Sequence, residues 1–97
     1  MLNMERKQIV KILKDEQYPE FMIDNTTTKL EKLSPVIAKA FEQWINCKLT
    51  PDLCIEGYSY TELVHNWGMK PIGAFITLDW LIREPEKAKK SLKKGIK

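Results

Sequence analysis

The chain has 97 residues, of which 43% are hydrophobic and 30% charged, and it carries a formal net charge of +3. That is the size of one domain with the balance of a folded globular protein, which excludes a disordered chain and leaves little volume for a deep enzyme cleft. No apolar run approaches the roughly 18 residues of a spanning helix, and the first stretch, MLNMERKQIVKILKDE, alternates charge with apolar residues, so a non-membrane, cytoplasmic protein is expected.

Residues 3–16 read as an amphipathic helix with Ile9, Ile12 and Leu13 on one stripe and Val10 at its edge. Tyr18-Pro19 ends it, because the residue before proline is pushed out of the α region. Residues 20–23 fit a single helical turn or a short extended piece, and the pattern leaves both open. Asp24-Asn25-Thr26-Thr27-Thr28 has the composition of a turn. Thr28 and Glu31 have capping-box spacing for a short helical turn that Pro35 must end near Leu33.

Ser34-Pro35 reads as N-cap and first residue of a helix over 35–47. Ile37, Ala40, Phe41 and Trp44 form its apolar stripe, flanked by Val36 and Ile45. Thr50-Pro51-Asp52 is a connection, and residues 53–56 alternate like a short strand before Gly57. Ser59 and Glu62 form a second capping box, opening a helix with Leu63, Val64 and Trp67 that ends at Gly68. Pro71 starts a helix over 71–83 that is apolar nearly all round. Ala74, Phe75, Leu78, Leu81 and Ile82 make one stripe and Ile72, Ile76 and Trp80 another, with Gly73, Thr77, Asp79 and Arg83 left for solvent. Pro85 begins a lysine-rich terminal helix with a thin stripe of Ala88 and Leu92.

The expected fold is mainly α: a compact bundle of four to five helices, with or without one short strand pair, and a helix-turn-helix-like C-terminal half. Residues 1–84 form the single helical domain and 85–97 the basic C-terminal helix or tail. That tail holds six lysines against Glu86, so the preceding residues carry ten basic and twelve acidic groups. The positive charge therefore sits at the end of a slightly acidic domain.

Chemistry-bearing constellations are sparse. Zinc wants four nitrogen or sulfur ligands in tight pairs, and Cys47, Cys54 and His65 cannot supply them. The cysteines are expected as reduced thiols, with Cys47 buried. His65 with either cysteine lacks an orienting third group, and the scattered glycines form no phosphate loop. No cofactor, no metal and no enzymatic activity are expected.

Residues 59–83, SYTELVHNWGMKPIGAFITLDWLIR, resemble the helix-turn-helix segment of winged-helix proteins, with a capped first helix, a glycine-led turn at Gly68-Met69-Lys70 and a second helix through Leu78-Asp79-Trp80-Leu81. The resemblance implies helix-turn-helix packing. The second helix offers few base-reading side chains, and residues 57–84 hold Lys70 and Arg83 against Glu62, Asp79 and Glu84. The leading expectation is a non-enzymatic module that binds a protein partner or a second copy of itself through Trp67, Ile72, Ile76 and Trp80. The alternative is a nucleic-acid-binding or regulatory protein that contacts phosphate through Lys70, Arg83, Lys87, Lys89, Lys90, Lys93 and Lys94.

Overall fold

A computed structural model describes residues 4–47 and 53–95, without the side chain of Cys47. The expectations for Cys47, for Thr50-Pro51-Asp52 and for Lys97 fall outside the described residues. Helix α1 (Arg6–Asp15) opens on a capping box in which Gln8 Oε1 accepts the Glu5 N–H at 2.9 Å. It closes on Gln17, whose φ of 63° lets the Tyr18 N–H reach back to the Leu13 carbonyl at 3.0 Å. The helix buries Ile9 and Leu13, with Val10 and Ile12 packed beside them.

Pro19 then caps α2 (Glu20–Glu31), an unbroken helix where a turn was expected at residues 24–28. The reason lies in the threonine hydroxyls. Thr27 Oγ1 donates to the Ile23 carbonyl at 2.7 Å and Thr28 Oγ1 to the Asp24 carbonyl at 3.1 Å, so both bond within the helix instead of competing with it. Thr26 and Thr27 then bury their methyl groups with Ile23 and Leu30. Thr28 accordingly lies inside a helix and is not an N-cap. Arg6 joins α1 to α2, binding Asp24 and, at 2.6 Å, Glu31.

Helix α3 (Pro35–Cys47) buries Ile37, Ala38, Ala40 and Phe41, while Val36 stays half exposed. A two-residue antiparallel pair, β1 (Cys54–Ile55) and β2 (Tyr58–Ser59), turns through Glu56 and Gly57, both at positive φ. Ser59 Oγ accepts the Glu62 N–H at 3.0 Å and starts α4 (Tyr60–His65), as its capping pattern predicts. Left-handed Gly68 (φ 71°) allows the Met69 N–H to return to the Leu63 carbonyl before α5 (Pro71–Arg83).

Helix α5 is the centre of the fold, packing on α3, α4, β1 and α6 (Pro85–Gly95). It buries Ile72, Ala74, Phe75, Leu78, Asp79 and Leu81. Around Phe75 the rings of Tyr60, Phe41 and Trp44 stand at centroid distances of 5.0, 5.4 and 5.9 Å. Ala88 and Leu92 of α6 are buried, and Lys89 binds Glu56 of the hairpin turn at 3.0 Å, so the basic helix is docked on the domain. The mainly helical fold with one small strand pair agrees with the sequence expectation, and the radius of gyration is 12.9 Å. No helix among the described residues is long and apolar enough to cross a membrane.

Candidate functional site

The four aromatic and aliphatic residues expected to form one interaction face are separated by the fold. Ile72 is fully buried in the core, and the residue before α5 is covered by the joint between α1 and α2. Lys70 marks that cover: its ammonium donates to the Glu16 carbonyl at 3.3 Å and lies 5.3 Å from the centroid of the Tyr18 ring. Trp67 packs edge-on against Tyr58 at 6.0 Å, beside the hairpin. Only Ile76 and Trp80 share a surface, one helical turn apart on the outward side of α5.

That surface is one wall of a groove of about 400 Å³ between the C-terminal end of α2 and α5. Leu33, Ile76 and Trp80 give it apolar lining, and Lys29, Lys32 and Arg83 bring three cations to it. Trp80 is oriented by its own Nε1–H, which donates to Glu84 Oε1 at 3.3 Å. Thr77 also lines the groove and turns its hydroxyl toward Met69 Sδ at 3.7 Å.

Asp79, expected in solvent, is 8% exposed and lines the groove. Its Oδ1 accepts the Ser34 N–H at 2.7 Å and its Oδ2 accepts Arg83 Nε at 2.8 Å. Oδ1 thus ties α5 to the start of α3, while Oδ2 is engaged within α5. The carboxylate does not cancel the charge of Lys29 or Lys32, which keep the groove electropositive.

The cations of α6 differ in their pairing. Lys87 pairs with Glu84 at 3.4 Å, and Lys89 with Glu56 and Glu86. Its hydrogen bond to Glu56 holds the Lys89 ammonium above the usual lysine range. Among the described residues no carboxylate pairs with Lys90, Lys93 or Lys94, which are exposed on α6. His65 and Cys54 are both exposed, and Cys54 is a free thiol. No group of three or more His, Cys, Asp or Glu side chains among the described residues is arranged to hold a metal ion.

The sequence places Lys29, Lys32 and Leu33 in a short helical turn, but nothing local indicates that this segment faces Ile76 and Trp80 of α5. The spacing of Ile23, Thr26, Thr27 and Leu30 holds the helical period once threonine methyl groups are counted as apolar. Comparison of the chain with protein-family models, curated proteins and solved structures gives no match.

Proposed function

We infer that the protein is a non-enzymatic interaction module whose docking face is the groove between α2 and α5. The carrying observation is the combination of Leu33, Ile76 and Trp80 with Lys29, Lys32 and Arg83 around one cavity. Apolar anchors ringed by cations favour a partner segment with a large apolar side chain and acidic neighbours. Trp80 supplies the wide, flat contact area typical of binding hot spots.

Reading nucleic acid through α5 has less support. That mode needs the first turn of the helix free to enter a groove of the duplex, and here the turn begins with Lys70 on Tyr18 and buried Ile72.

A photo-reactive amino acid in place of Thr77, which lines the groove, tests the docking face in the native cell. The expected result is a covalent adduct at position 77 and none at position 39, where exposed Lys39 lies on α3. Equal labelling at both positions, or no adduct at 77, overturns the reading.

A further inference from the structure

The surface carries one apolar feature that matches the chemistry of the groove. Phe21 is 85% exposed and Met22 beside it is 40% exposed. Glu20 precedes them and Asp24 follows, both exposed. Adjacent exposed apolar side chains rimmed by charged residues make a contiguous patch of the kind that marks a protein interaction site.

The position of Phe21 on α2 is specific. At about 100° per residue, Phe21, Asn25, Lys29 and Lys32 fall within one strip of roughly 80°, with Met22 at its edge. The strip lies opposite buried Ile23, Thr26, Thr27 and Leu30. The outer side of α2 therefore carries an acid-flanked apolar knob at its start and, at its end, the two lysines that border the groove shared with α5. Eight to eleven residues separate them, roughly 12–16 Å at about 1.5 Å per residue.

Resting on the groove as the docking face, we propose that its occupant is Phe21 of a second copy of this chain, in a two-fold dimer whose α2 helices run antiparallel. A two-fold rotation exchanges the ends of the helices, so both knobs meet both grooves in one closed contact. The axis then passes beside Asn25, whose small uncharged side chain meets its own copy. Arg6 is shared between Asp24 and Glu31, so Glu20 and part of the Asp24 charge keep the knob acidic, opposite Lys29 and Lys32 of the other copy. The antiparallel arrangement also sets the N-terminal end of each α2 against the C-terminal end of the other, where the helix dipoles attract.

The test is the mass of the full chain in solution, measured by sedimentation equilibrium across a concentration series. The wild type is expected to pass from monomer to dimer. Phe21→Ser is expected to raise the dimer Kd by at least about tenfold. Its thermal unfolding, measured where the chain is monomeric, stays unchanged because the side chain is exposed. Glu20→Lys weakens association, as does the double variant Lys29→Glu/Lys32→Glu. An equimolar mixture of these two associates more tightly than either alone, since each knob then meets a groove of opposite sign. A wild type that stays monomeric at millimolar concentration overturns the dimer, as does a Phe21→Ser variant that pairs like wild type or a mixture that shows no rescue. A monomeric chain that still forms an adduct at position 77 with another protein removes the dimer and leaves the docking face in place, whereas loss of the adduct removes the docking face itself.

Discussion

The carboxylate of Asp79 accepts the backbone N–H of Ser34 at 2.7 Å, across 45 residues of sequence. Ser34 is the residue from which α3 starts, its carbonyl accepting the Ala38 N–H at 2.8 Å. An anion from α5 thus sits at the positive end of α3, where it satisfies a donor and complements the helix dipole. Asp79→Ala leaves that N–H without its partner and is expected to cost about 1–3 kcal/mol of stability. Arg83→Ala removes only the half-exposed side of the same cluster and is expected to cost less than about 1 kcal/mol. Urea unfolding of the two variants distinguishes them, and equal losses would mean that the cap is not what Asp79 contributes.

Helix α6 behaves as part of the domain. Its lysines face solvent, but Ala88 and Leu92 are buried, and Lys89 reaches the Glu56 carboxylate. Leu92→Ala is therefore expected to destabilise the whole fold by about 2 kcal/mol, from reduced burial and the cavity left behind. The triple variant Lys90→Gln/Lys93→Gln/Lys94→Gln is expected to stay within about 0.5 kcal/mol of wild type. Circular dichroism melts check both, and a Leu92→Ala variant as stable as wild type would make residues 85–97 a separable tail.

Among the described residues, two non-glycine residues occupy left-handed backbone, Gln17 at φ 63° and Glu56 at φ 52°. Gln17 closes α1, and Glu56 is the first central residue of a two-residue hairpin turn followed by Gly57. Asparagine and glycine adopt that region at lower cost than glutamine or glutamate. Gln17→Gly and Glu56→Asn are each expected to stabilise the protein by about 0.5–1 kcal/mol, after the larger unfolded-state entropy of glycine is counted at position 17. Glu56→Asn also breaks the ion pair with Lys89, but that pair is solvent-accessible and worth little. The positions lie on different elements, so the double variant should show the sum of the two shifts in melting temperature.

Most of the helical fold is legible from periodicity and caps. Pro35 and Pro71 begin α3 and α5, and Ser59 with Glu62 begins α4, each where the residue pattern places it. Two of the departures share one cause: a polar side chain that reads as a solvent or turn residue finds a partner inside the fold. Thr27 sits in the helix interior because Ile23 lies one turn back to take its hydroxyl. Asp79 is buried because Ser34 and Arg83 come to it. The groove draws on both regions, since Lys29 of α2 and Asp79 of α5 line it together. Ile76 and Trp80 could be picked out from α5 alone. The cations opposite them depend on a tertiary pairing that no local window contains.

The phenols of Tyr18 and Tyr60 make the fold sensitive to alkali. Tyr60 is 4% exposed against Phe75, and Tyr18 lies under Lys70 at the joint between α1 and α2. Burial is the main cause that raises both pKa values above the ordinary 10.0, and the charge of Glu16 adds to it; at Tyr18 a backbone hydrogen bond from Gly73 acts in the opposite direction. A pKa raised on folding means that the folded state holds the phenol proton more tightly than the unfolded chain does. The stabilisation is thus fully present below pH 10.0 and declines as the pH climbs from there through the raised values. Tyr60→Phe removes one of the two phenols whose pKa is raised, so its stability should fall less steeply over that range while changing little at neutral pH. Tyrosinate absorbance followed alongside unfolding gives the readout. A Tyr60→Phe variant whose alkaline decline matches wild type would show that Tyr60 is not one of the groups responsible.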